Sequence, residues 1–177
     1  MECVRFAHLK NYPEIWLFKK GNRLMNENTT TKPDERFIEG DSDTVIDGAK
    51  LLVWIKEDTW QIAGKWMSQL QVREFAETMN RKRFAGFSNW RLPTTNEIKS
   101  LFDKNMKNSD NQGQTIFLSD LFAPGCGFLC WSSDIRHKIQ GVRFSFRKGV
   151  TMYDDIYRTS RGTSRLVRDI EKSEDTV

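Results

Sequence analysis

Cysteine, histidine and long apolar runs are all scarce in this chain. Three cysteines in 177 residues, Cys3, Cys126 and Cys130, are too few and odd in number for a disulfide framework. The two histidines, His8 and His137, stand far apart. No second Cys/His pair follows Cys126-Gly-Phe-Leu-Cys130, so the four ligands of a structural zinc site are not supplied. The longest apolar run is the pentamer Leu51–Ile55, far short of the roughly 20 residues of a membrane helix. No membrane span is expected. No G-x-S-x-G string and no phosphate-loop pattern occurs, and Arg161-Gly162-Thr163-Ser164 reads as a turn. Glu2, Arg5, His8 and Lys10 break up any apolar signal-peptide core, so the expectation is a cytoplasmic location. Charge is nearly balanced: 28 Lys+Arg against 24 Asp+Glu leave +4. Acids interspersed among the bases dilute any basic face, and nucleic acid is not an expected partner. No cofactor is implied.

Aromatic residues, in contrast, are plentiful: 12 Phe, 6 Trp and 3 Tyr, ample material for a core. The segment 1–34 reads as an N-terminal arm followed by a polar linker. Ile15-Trp16-Leu17-Phe18 is its apolar patch, through which the chain could assemble as a homo-oligomer. The domain spans 35–169, and 170–177 is an acidic tail. Within the domain, Arg36–Ile46 and Lys50–Lys56 read as strands joined by the hairpin signal Asp47-Gly48. A helix is expected over Val72–Arg81, with Trp60–Gln69 a separate turn or wrapped loop around Gly64. Thr94 and Glu97 form a capping box, and Ile98, Leu101 and Phe102 give the following helix one apolar face. Asn105–Gln114 reads as a loop. Phe128–Ser132, Val142–Arg147, Val150–Tyr153 and Ser164–Arg168 read as strands. Two helices among antiparallel pieces make an α+β class.

Several strings occur in a telling order: Leu51-Leu52-Val53-Trp54, Thr59-Trp60, Gly86-Phe87-Ser88-Asn89-Trp90-Arg91-Leu92-Pro93-Thr94 leading into Glu97, Leu101-Phe102-Asp103, Cys130-Trp131-Ser132-Ser133, Phe146-Arg147-Lys148-Gly149 and Arg165-Leu166-Val167-Arg168. This series resembles the Lcl C-terminal domain family, over roughly Ile38 to Asp169. The resemblance implies a C-type-lectin-like fold, related to the formylglycine-generating-enzyme-like fold. Such a fold has a small twisted antiparallel sheet, two helices and long loops, with its N- and C-terminal strands paired. It also implies a ligand-binding module, often of an exported or surface protein. The Trp90–Thr94 string needs no catalytic role. Trp90 and Leu92 alternate as core anchors, and Pro93 fixes where the helix begins.

Three constellations remain as sites. Cys126 and Cys130 are expected to be partly buried free thiols, with an oxidase-type reactive pair as the alternative that the fold relationship suggests. Asp154-Asp155, with Tyr153 and Tyr157, reads as a solvated turn rather than a calcium site, since no Glu-Pro-Asn-like string accompanies it. The third is the last third of the chain, where arginine and aromatic residues are interleaved. Guanidinium forks suit carboxylate or phosphate, and rings suit stacking. The candidate binding residues are Trp131, Ser133, Asp134, Arg136, Arg143, Arg147, Tyr153, Tyr157 and Arg161. Arg143 and Arg147 are expected to project together from their strand, opposite Phe144 and Phe146. The expected ligand is a protein surface, a glycan or an anionic molecule.

Overall fold

A computed structural model describes residues 36–41 and 43–170 in full, and before them the backbone of three short strands. Those three, β1 (Cys3–Arg5), β2 (Trp16–Lys20) and β3 (Arg23–Asn26), form an antiparallel meander. The 21–34 segment read as a linker therefore contains a strand. The side chains of the Ile15–Phe18 patch and the acidic tail 171–177 lie outside the described residues.

The domain is α+β and mostly antiparallel. One sheet has the order β12-β6-β5-β4, from β4 (Phe37–Glu39), β5 (Thr44–Asp47), β6 (Leu52–Ile55) and β12 (Val167–Asp169). The Asp47-Gly48 hairpin joins β5 to β6 as expected. The strand expected over Arg36–Ile46 is instead two, because the chain reverses between Gly40 and Asp43. Asp43 takes a positive φ of 61° there, and the Gly40 N–H donates to the Thr44 carbonyl at 2.9 Å. The last strand, β12, pairs with β6 in the register Val167↔Trp54, not with the first strand of the domain.

This sheet is buried on both faces, and its pleat sorts the core into two. Val45 lies opposite Trp54, which lies opposite Val167. These three join Ile98, Phe122, Phe144 and Phe146 in one cluster. Ile46 lies opposite Val53 on the other face, with Ile55, Val72, Trp90, Leu92 and Trp131.

Among the described residues there are three α-helices where the sequence suggested two. Each begins at a capping box: Asp58 with Gln61 for α1 (Thr59–Ala63), Ser68 with Gln71 for α2 (Gln69–Arg81), Thr94 with Glu97 for α3 (Thr95–Ser100). Gly64 ends α1 at φ 67°, a left-handed cap that glycine adopts without a Cβ penalty. The Ser68 box starts α2 three residues before the expected Val72. The expected loop Asn105–Gln114 holds β7 (Asn108–Ser109), which pairs with β8 (Thr115–Ile116).

The second sheet, ordered β11-β10-β9, comprises β9 (Leu129–Arg136), β10 (Gln140–Ser145) and β11 (Val150–Asp155). The strand expected over Phe128–Ser132 thus runs on to Arg136. Arg143 lies opposite Trp131 but Gly141 lies opposite Ile135, so β9 bulges there. The two sheets are tied through Thr163, whose carbonyl accepts from the Trp131 N–H at 2.7 Å.

Candidate functional site

The sheet β9–β11, its turns and the turn after it carry all the candidate binding residues, and the structure divides them. Trp131 is fully buried, at 0% exposure, rather than presented to a ligand. Its indole N–H donates to the Met67 carbonyl at 3.0 Å, and the Arg143 guanidinium lies 4.5 Å over its ring. Arg143 is itself buried. It donates to Asp154 Oδ2 at 2.8 Å and to the Ser160 carbonyl at 2.9 Å. The other Asp154 oxygen takes Arg158 Nε at 2.8 Å. Burial pulls the Arg143 pKa below the ordinary arginine range, against the pull of Asp154. The expectation that Arg143 faces a ligand is therefore corrected. Its side chain is a strut between the sheet and the 156–162 turn, and Asp154 is its counter-ion rather than part of a solvated turn.

Arg147 does not share its strand. Strand β10 ends at Ser145, and Arg147 sits in the turn that follows, 3.8 Å over the Phe128 ring. It pairs with Asp110 and donates to Gln112 Oε1 at 2.7 Å. Burial pushes the Asp110 carboxyl up, but Arg147 and the N–H groups of Gln112 and Gln114 outweigh it and hold it below its ordinary value. Ser133 and Asp134 are also anchoring residues. The Ser133 N–H donates to the Pro93 carbonyl at 2.7 Å, and its own carbonyl accepts from Arg73 at 2.5 Å. Asp134 Oδ2 accepts from the first N–H of α3, that of Thr95, at 2.9 Å. These contacts pin both long-range neighbours of β9, so the bulge is where α2 and α3 attach.

Arg136, Tyr153, Tyr157 and Arg161 remain exposed. Arg136 lies 5.2 Å over the Tyr153 ring, so these two are brought together across β10. Tyr157 and Arg161 sit in the turn behind β11, the turn that Arg143 grips through Ser160. Sequence reasoning missed their apolar companions. Among the described residues, the exposed large hydrophobic side chains are Ile135, Ile139, Val150, Met152, Tyr153 and Tyr157, all in this sheet and its turns. Exposure reaches 57% at Ile139 and 66% at Tyr157. The signal was present in Asp134-Ile-Arg-His-Lys-Ile-Gln140, where single apolar residues stand among charges at a hairpin tip. A second aromatic pair, Trp60 and Trp66, stacks at 4.8 Å and is half-buried.

The cysteines offer little chemistry. Cys126 and Cys130 are buried and free, and burial pushes both thiols up to about 11. The thiolate is the reactive form, so at neutral pH both are almost wholly protonated. Iodoacetamide should leave both unmodified in the folded protein and alkylate both in denaturant, as peptide mass mapping would show. Rapid native labelling at either would favour the oxidase alternative. Among the described residues, no three His, Cys, Asp or Glu side chains are grouped to hold a metal ion, and no helix is long and apolar enough to cross a membrane.

Comparison with known families gives one result: the model of a family described as the Lcl C-terminal domain matches residues 43–168. No curated protein and no solved structure matches.

Proposed function

Because the chain belongs to the Lcl C-terminal domain family, and its family strings here cap helices and fill cores, we propose that it is a non-catalytic ligand-binding module of C-type-lectin-like fold. The surface is the β11 side of this sheet, with Arg136 and Tyr153 on one face, Ile135 and Met152 on the other, and Ile139, Tyr157 and Arg161 in the turns beside them. Trp131, Arg143, Arg147, Ser133 and Asp134 hold that surface in shape from behind. The observation that carries this reading is the confinement of the exposed large hydrophobics to one sheet and its turns. Contiguous exposed apolar side chains with a polar rim mark interaction sites, and tyrosine and arginine are common anchors there.

The rim favours an anionic ligand. Exposed Arg136, Lys138, Lys148, Arg158 and Arg161 face only Asp134 and Asp155 as exposed acids in the same region. A carboxylate-bearing or sulfated glycan, or an acidic protein surface, meets that description. The test is binding to an array of neutral and acidic glycans, with an acidic peptide included, for the wild type and for the triple variant Arg136→Ala, Tyr153→Ala, Tyr157→Ala. Capture of acidic members by the wild type should be lost in the variant, with the melting temperature nearly unchanged. Equal capture by both would remove the site, and capture of neutral members alone would remove the anionic assignment.

A further inference from the structure

We propose that strand β11 is a self-pairing edge, through which two copies of this chain join antiparallel into one continuous six-stranded sheet. The inference does not depend on what the surface beside it binds.

The argument starts from backbone groups. In an antiparallel pair, alternate residues turn their N–H and C=O toward the neighbouring strand and away from it. The Ile156 N–H donates to the Ile139 carbonyl at 3.0 Å, and the Phe146 N–H donates away from β11 to the Phe128 carbonyl at 3.0 Å. With Gln140↔Asp155 to Ser145↔Val150 as the register, Val150, Met152 and Asp154 therefore turn their backbone groups toward β10. Thr151 and Tyr153 turn theirs outward. Among the described residues, no strand lies on that side, and neither the Thr151 nor the Tyr153 backbone bonds to a turn, a loop or a side chain. Asp155 is closed off, because its carbonyl accepts from the Arg158 N–H at 2.9 Å and its N–H donates to Asp154 Oδ1.

Natural edge strands are guarded by proline, by a bulge, by an inward charge or by brevity. Strand β11 reads Val-Thr-Met-Tyr-Asp-Asp. It has six residues, no proline, no lysine, and no register break against β10. Val150, Met152 and Tyr153 are exposed along it. Such an edge is a template for another strand.

The charges identify the second strand as a copy of the first. Exposed Lys148 precedes the strand and exposed Asp155 ends it, and neither makes an ion pair among the described residues. Antiparallel pairing about a two-fold axis lays the Lys148 end of each strand beside the Asp155 end of the other. The strand is therefore complementary to its own reverse. Because the outward set is Thr151 and Tyr153 and Asp155 is closed off, the axis passes at Met152, with Thr151 of each copy opposite Tyr153 of the other.

The experiment is light scattering of the full chain at concentrations up to about 0.1 mM, a range suited to an interface of modest area. The wild type should show twice the 20.8 kDa chain mass. Thr151→Pro removes an N–H that β10 does not use, and proline is tolerated at an edge facing solvent. This variant should keep its melting temperature within a few degrees and weaken the dimer roughly 30-fold, for two lost symmetric hydrogen bonds. Lys148→Glu and Asp155→Lys should each weaken it, by roughly fivefold, and together restore it. A wild type that stays at monomer mass overturns the proposal. So does a folded Thr151→Pro protein that dimerises like the wild type. Should that variant fail to fold, unchanged dimers in both charge variants have the same force.

Discussion

Trp131→Ala is expected to lower the unfolding free energy by about 4 kcal/mol, or roughly 10 °C in Tm, although the residue lies in the segment that carries the binding surface. Three losses combine. The fully buried ring leaves a cavity where α2 meets the sheet. Its hydrogen bond to the Met67 carbonyl disappears. Arg143 also loses the ring face on which its guanidinium lies. Urea unfolding monitored by circular dichroism measures the effect. Tyr153→Ala and Tyr157→Ala, on the same sheet and its turn, serve as the contrast, since surface substitutions away from caps and pairs usually shift stability little. If Trp131→Ala were as mild as these, the ring would not be the central support described above.

The second large effect concerns charge rather than volume. Asp154→Ala leaves Arg143 buried without its counter-ion, and about 2–3 kcal/mol should be lost. That range is set below the figure for a fully buried pair, because Asp154 is 24% exposed. The sign of the partner's substitution is the informative part. Arg143→Met in the Asp154→Ala background should recover most of the loss, since an apolar side chain of similar volume then occupies the site with no charge to satisfy. Denaturant midpoints of the two single variants and the double variant form the cycle. A double variant as unstable as the sum of the singles would mean that the two residues act separately.

These two cases show where sequence reading reached its limit. The hairpin at Asp47-Gly48 and the helix start at Thr94 were legible, because turn and cap chemistry is local, whereas the turn or loop expected around Gly64 is the end of helix α1. The boxes at Asp58 and Ser68 carry the same kind of signature, with a glutamine at the third helical position, and mark the true starts of α1 and α2. The failure at Trp131, Arg143 and Arg147 has another cause. Alternation of polar and apolar residues in β10 suggests a half-buried strand, but all of Gly141–Ser145 is buried. Its polar face is covered by residues that are distant in sequence: Gln69, Met67 and the 156–162 turn. Arginine could fill that face because Asp154 and a carbonyl receive it. Period alone cannot separate an arginine held inside from one presented outside. The bulge in β9 adds to this by shifting the faces of Ser133 and Asp134 relative to Trp131. Ile135 and Ile139 left a signal at their hairpin tip, but the exposure of Val150 and Met152 was illegible for the converse reason, since it depends on which strand ends the sheet.

The tie through Thr163 and its neighbours also bears on how the chain finds its fold. Ser164 donates to Thr59 across 105 residues, and Arg165 reaches the Ile55 carbonyl across 110. Both cores draw residues from the two ends of the domain, with Trp54 and Val167 in one and Ile55 and Leu166 in the other. Forming such contacts requires closing a very long loop before the contacts can repay its entropy, so the chain belongs with slow folders of high contact order. On the ribosome, the helices α1 to α3 and the β9–β11 sheet emerge before the strand that completes the first sheet. Until residues 163–168 are free, β6 presents a bare edge with Trp54 beside it. The strand that emerges last is therefore also the one that covers the β6 edge.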